Sequence, residues 1–185
     1  MHQKVLITGN AGAGKTTLSR KIADILKIQD LIHLDQFIWM PGWQPAHPET
    51  IKASLNDITK KKSWVVDGVS RVILNDADTI IFLDYPRRLC YWRALKRIFK
   101  YTFRSRPELP GQSPDLFALR KLLHIIWHFP TSAKPTIVAH LEKHTGTKCL
   151  FHIKNKKDLC HLLSTLKKQT HAADSLSQHS EKISQ

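Results

Sequence analysis

Short apolar runs alternate with amphipathic helical patterns along most of this chain. Residues 5–8, Val-Leu-Ile-Thr, form an apolar run of strand length. A helical pattern follows over Lys15–Leu26, with Leu18, Ile22, Ile25 and Leu26 on one face. Residues 31–34 predict a second strand. A loop rich in Pro, Gly and Trp occupies 39–45, and Pro48 opens a helix to Lys60. Residues 64–66 and 79–83 read as the third and fourth strands. Pro86 suits the first turn of a helix running to about Tyr101. Residues 104–114 hold three prolines and a glycine and read as a turn-rich loop. Helices are expected over 116–128, stopped by Pro130, and over about 135–143. A fifth strand over 148–153 and a helix over 156–166 close the pattern. From Gln169 onward Ser, Gln, His and Ala prevail, and 169–185 reads as a disordered polar tail.

Strands that alternate with helices build parallel βαβ units joined by right-handed crossovers. The expectation is a single α/β domain over 1–168, with a five-stranded parallel sheet between helical layers.

The first strand–helix junction reads Gly9, Asn10, Ala11, Gly12, Ala13, Gly14, Lys15, Thr16. This is G-x-x-x-x-G-K-[ST] in the strand–loop–helix context that the motif requires. Glycines let backbone N–H groups converge on a phosphate, and the helix start adds the positive end of its dipole. Lys15 is placed for the β- and γ-phosphates, and the Thr16 hydroxyl for magnesium. ATP with Mg²⁺ is the expected ligand, held by Gly9 to Thr16 with Thr17 beside them.

Three other strands end on aspartate: Asp35, Asp67 and Asp84. In an open parallel sheet, ligands bind beyond the carboxyl ends of the strands, so these acids share a rim with the phosphate loop. Asp67, before Gly68, is the candidate second magnesium residue, acting through water; a turn-forming aspartate is the alternative. Asp35 is a candidate base or hydroxyl acceptor, or else a structural turn. Asp84 is either catalytic or the start of a helix.

The composition, 42% hydrophobic and 24% charged over 185 residues, is that of a globular protein. The net charge of +14 favours anionic partners without choosing among them. Residues 87–121 carry ten Lys and Arg against two acids. Arg93 and Arg97 share a helix face. Three readings fit this stretch: a lid whose arginines close on transferring phosphates, a solvated basic face, or nucleic-acid binding assisted by the interleaved aromatics Tyr91, Trp92, Phe99, Tyr101 and Phe103. Trp39 and Trp43 are either an acceptor pocket or buried loop aromatics. His124 and His128, four apart on a helix, lack the rest of a zinc pattern. Cys90, Cys149 and Cys160 have no disulfide or zinc spacing. Neither a secretory signal nor a membrane span is visible, so a cytoplasmic protein is expected.

The order of features resembles the adenylate-kinase-like branch of P-loop kinases. Gly12 is the extra glycine of those loops. Residues 65–71, Val-Val-Asp-Gly-Val-Ser-Arg, look like the segment whose arginine, here Arg71, grips an acceptor phosphate. Within that branch the chain looks closest to the bacterial DNA-topology-modulation (FlaR-type) proteins. The resemblance is carried by His33-Leu34-Asp35, Trp39-x-Pro41-Gly42-Trp43, residues 64–68, residues 83–87, Leu89-Cys90-x-Trp92-Arg93, Arg104-x-Arg106-Pro107 and Trp127-x-Phe129-Pro130. It covers roughly residues 4–155. Where such proteins read Asp-Gly-Asn-Tyr, this chain reads Asp67-Gly68-Val69-Ser70. The resemblance implies a three-layer α/β/α P-loop NTPase fold with strand order 2-3-1-4-5 and a small lid over about 93–115, opened by Arg93 and Arg97.

The functional expectation is a small kinase that uses Lys15, Asp35, Arg71, Arg93 and Arg97 to pass the γ-phosphoryl of ATP to a nucleotide, nucleoside or other small acceptor. Arg71 on an acceptor phosphate would mean a nucleoside monophosphate. Asp35 on a hydroxyl would mean a nucleoside or small alcohol. The alternative is an ATP-dependent regulator that binds nucleic acid through 87–121.

Overall fold

The computed structural model describes residues 2–40, 44–101 and 116–183. The elements in chain order are β1 (Lys4–Gly9), α1 (Lys15–Leu26), β2 (Leu31–His33), α2 (Asp35–Ile38), β3 (Trp39–Met40), β4 (Gln44–Pro45), α3 (Pro48–Lys60), β5 (Trp64–Asp67), α4 (Arg71–Asp76), β6 (Thr79–Leu83), α5 (Arg87–Tyr101), α6 (Leu116–Ser132), α7 (Lys134–Lys143), β7 (Cys149–Ile153) and α8 (Lys156–Ile183).

Five strands form one parallel sheet in the order β2-β5-β1-β6-β7. Counting only these strands, that is 2-3-1-4-5, as expected. Side chains alternate between the faces with the period of two that a strand imposes. Val5 and Ile7 enter a core with Leu18 and Ile22 of α1, Cys90 and Ala94 of α5, and Leu162 and Leu166 of α8. Leu6, Trp64, Val66, Ile80 and Phe82 enter the opposite core with Ile58 of α3, Ile73 and Leu74 of α4, and Ile137 and Leu141 of α7. Central strands buried on both faces explain why these runs read as continuously apolar rather than alternating. Each fully buried Val, Leu or Ile contributes about 1.5–3 kcal/mol.

Helix α6 feeds both cores, with Leu122 and Ile126 on one side and Phe129 on the other. It runs through Pro130 to Ser132, where the sequence predicts a stop. A proline inside a helix removes one N–H and leaves the carbonyl four residues back, here that of Ile126, without its helical donor. The ladder resumes beyond it, the Ala133 N–H donating to the Phe129 carbonyl.

Two short helices were not visible in the pattern. Helix α2 has four residues and α4 has six, too few to show a helical period. The Ser70 hydroxyl caps α4, accepting from the Ile73 N–H. A two-stranded antiparallel ribbon, β3 with β4, lies in the Pro- and Trp-rich loop. Helix α8 continues to Ile183, past the point where composition predicts an end to ordered structure. The expected loop and lid positions Trp43, Arg104 and Arg106 lie outside the described residues, as does most of the lid itself.

Candidate functional site

Parallel register brings the strand ends to one rim. Ile7 pairs with Asp67, His33 pairs with Asp67, and Gly9 pairs with Leu83. Asp35, Asp67, Asp84 and the phosphate loop therefore share the carboxyl edge of the sheet, as the sequence predicts.

The loop is built against its neighbours. Gly12 has φ +77°, and a Cβ there would come within 2.5 Å of the Cys90 carbonyl oxygen. At Gly9 a Cβ would come within 2.6 Å of the Leu83 carbonyl oxygen. No other residue type lets the loop lie this close to β6 and α5. The Lys15 ammonium curls back to donate to the carbonyls of Gly9 and Asn10, both at 3.1 Å. Helix α1 starts at Lys15, so its first-turn N–H groups have no helical acceptor and face outward as donors. Ala11, Ala13, Gly14, Thr16 and Thr17 complete the loop and first turn, with Ala13 buried and Thr17 exposed.

Asn10 is a loop residue whose role the motif does not specify. It is almost fully buried. Its Oδ1 accepts from the Ala11 N–H at 2.8 Å, and its Nδ2 donates to the Ile126 carbonyl at 3.1 Å. That carbonyl is the one Pro130 deprives of its helical donor. The proline in α6 thus supplies the acceptor that anchors the phosphate loop.

Asp67 is 3% exposed, and its Oδ2 accepts from Ser19 Oγ at 2.7 Å. The same oxygen lies 2.8 Å from His33 Nδ1. Ser19 stands one turn beyond Thr16 and also donates to the Thr16 carbonyl. The carboxylate is therefore tied both to the helix that carries Thr16 and to β2. Neither Ser19 nor His33 was singled out for this from the sequence. The spacing of Ser19 after the loop was the available signal for one, and only the β2–β5 register reveals the other.

Arg93 reaches the loop from α5. It donates to the Ala13 carbonyl at 2.9 Å, and its guanidinium lies 4.8 Å from the Tyr85 ring centroid. Burial raises the Tyr85 hydroxyl above its ordinary pKa although Arg93 opposes this, so the ring stays a neutral platform for the cation. Arg97 lies one turn further along α5 and is exposed. Burial also pushes the Cys90 thiol up, which keeps it protonated beside the loop.

Asp84 is held by partners rather than poised for substrate. Both its oxygens accept from Lys134 Nζ, at 2.7 and 2.8 Å, and Oδ2 lies 2.9 Å from His152 Nε2. Burial alone would raise its carboxyl, but the hydrogen bonds from Lys134 and His152 and their charges hold it below the ordinary value. Asp84 is a tether for the start of α7. The aspartate does not begin a helix, since α5 starts at Arg87.

Asp35 opens α2 and is exposed. Arg71 is the first residue of α4, exposed, with a long 3.5 Å contact from its guanidinium to Thr136 Oγ1 of α7. It borders a cavity of about 290 Å³ beside β1, with Thr8 in its wall. Asp35 is not part of that wall. His124 and His128 pack ring against ring at 4.2 Å on α6. Among the described residues, no helix is long and apolar enough to cross a membrane.

No family model matches the sequence, and no curated protein matches it. Solved structures do. A sugar kinase from Janibacter sp. HTCC2649, unliganded, aligns with TM-score 0.46 at 17% identity, over 91% of this chain and 92% of that one. Shikimate kinase from Acinetobacter baumannii, in complex with shikimate, aligns with TM-score 0.50 at 16% identity, over 97% of this chain and 95% of that one. Matched along nearly its whole length by that second structure, and built on a five-stranded parallel sheet with helices on both faces, this chain has the three-layer α/β/α fold of the P-loop kinases.

Proposed function

We propose that this chain is a small kinase that passes the γ-phosphoryl group of ATP to a small-molecule acceptor. The observation that carries the reading is the phosphate loop itself. A Lys15 ammonium lies folded over a glycine loop at the head of α1, with outward N–H donors beside it. That arrangement fits a polyphosphate: donors and a cation face one concave surface. Gly9 to Thr17 would hold the phosphates.

Thr16 and Asp67 fit a divalent cation. The chemistry is oxygen donors only, which suits magnesium, and the Ser19 and His33 bonds fix the carboxylate beside Thr16. When bound, magnesium neutralises charge that develops on the transferring group. The protein's own part is positioning and electrostatics. Lys15 leaves its two carbonyls to meet phosphate oxygens. Arg93, already on the loop, and Arg97, one turn on, add positive charge at the same edge. Asp35, exposed at the carboxyl rim, is the candidate to receive the hydroxyl proton. The adenylate-kinase-like branch is the finer reading, supported by G-x-x-G-x-G-K-T and the segment ending in Arg71.

The test is phosphoryl transfer from labelled ATP with magnesium to a panel of acceptors, with Lys15→Ala as control. A phosphorylated product that disappears in the control supports a kinase. ATP binding without transfer to any acceptor would end the assignment.

A further inference from the structure

Helix α5 presents two unlike faces. On one, Cys90 and Ala94 are fully buried and pack into the core. The Tyr91 hydroxyl donates to the Leu123 carbonyl of α6, and Arg93 turns to the phosphate loop. The other face holds Trp92, Leu95 and Phe99, which are 59%, 37% and 77% exposed. Their spacing of i, i+3 and i+7 lays them along one ridge of the helix. Single exposed apolar side chains are ordinary, whereas a contiguous apolar patch marks an interaction surface. Arg88 and Lys96 stand one turn before and one turn after Trp92, both exposed. Lys96 Nζ lies 5.0 Å from the Trp92 ring centroid. The sequence of α5 contains six Lys and Arg and no acid, so nothing within the helix neutralises its charge.

We propose that this face of α5 docks on an anionic phospholipid surface, with Trp92, Leu95 and Phe99 entering the headgroup boundary and Arg88 and Lys96 meeting lipid phosphates. Charge and shape select this occupant. A second copy of the chain would bring two acid-free helices together, on molecules of net charge +14 each. Duplex DNA is read by polar side chains on base edges, and this ridge offers apolar ones. Single strands stack their bases on aromatic platforms in a basic groove, but an exposed helix ridge is convex, and the aliphatic Leu95 lies between the two aromatics. Trp, Phe and Leu rimmed by cations is the pattern of a helix that lies in a bilayer interface. The Trp ring is at home at headgroup level, and the long cations reach phosphate while their stems stay on apolar surface. Since α5 also packs into the core through Cys90 and Ala94, the contact is one-sided and reversible. The inference does not depend on the kinase reading.

The experiment sediments the full chain with two kinds of vesicle at about 100 mM salt. One is phosphatidylcholine alone, and the other contains roughly one quarter phosphatidylglycerol. Partitioning onto the anionic vesicles should exceed that onto the neutral ones by roughly 10-fold or more. Trp92→Ser with Phe99→Ser should lower it by roughly 10-fold or more, and so should Arg88→Gln with Lys96→Gln. All four side chains are exposed, so melting temperature and ATP binding should match those of the native chain. Where the serine pair lowers stability, Phe99→Ser alone gives the same test at the most exposed position. Tryptophan emission should shift to the blue on the anionic vesicles, and Trp92→Phe should remove most of that shift while binding persists. Absence of partitioning overturns the proposal. Partitioning that survives the serine substitutions overturns it too, because it is then the general adhesion of a basic protein. Retention on single-stranded oligonucleotides that needs Trp92 and Phe99, with vesicle binding that does not, assigns the surface to nucleic acid instead.

Discussion

At the scale of single residues, the phosphate loop depends on the absence of side chains. Gly12→Ala places a Cβ against the Cys90 carbonyl at a backbone angle that disfavours other residues. The conformational term alone is about 1–2 kcal/mol, and the clash adds to it. Thermal unfolding should fall by at least about 5 °C, and ATP binding should weaken with it. Asp84 gives a prediction in pH. Its folded-state pKa lies below the ordinary value of 3.8, so its pairing with Lys134 contributes fully above that value. As pH falls from there, the unfolded chain takes up the proton first, and the contribution is lost through the folded pKa. Urea midpoints followed below about pH 5 should fall more steeply for the native chain than for Asp84→Asn. Equal slopes would show that the tether contributes nothing.

At the scale of elements, the proline in α6 and the asparagine of the loop form one device. Asn10→Ala leaves the Ile126 carbonyl buried without a donor and should cost about 1–3 kcal/mol in denaturant unfolding. Pro130→Ala restores a helical N–H to that same carbonyl. The double variant should therefore be more stable than Asn10→Ala alone, by an amount visible in a double-mutant cycle. Strict additivity would show that the two residues are not coupled through Ile126. Much at this scale was legible beforehand. The α1, α3 and β6 boundaries follow from apolar periodicity and from Pro48, because those segments are long or fully buried. Helices α2 and α4 were hidden by their shortness, and the end of α6 by reading Pro130 as a stop. Proline removes one helical hydrogen bond without always ending the helix, and here the carbonyl it frees accepts from Asn10 instead.

For the whole molecule, the charge of +14 predicts that any polyanion will adhere weakly. Retention on DNA should fall steeply between about 50 and 200 mM salt, and DNA should not alter ATP turnover. Tight binding that persists at the higher salt would restore nucleic acid as the functional partner. Truncation after Thr170 should leave the melting temperature within about 3 °C, since among the described side chains of α8 the buried leucines, Leu162 and Leu166, lie before that point. The rim of aspartates was legible because parallel strands fix which ends coincide. The partners of those acids were not: Lys134 and His152 meet Asp84, and His33 meets Asp67, across distances that only the folded sheet closes.

The Asn10–Ile126 bond joins residues 116 positions apart. During synthesis, the Gly9–Thr16 motif is complete in sequence long before Ile126 has been added. Its anchor in α6 is made only after most of the chain has followed. A nascent chain therefore lacks this anchor until α6 has been made, and ATP should stabilise a chain cut before α6 less than the full chain.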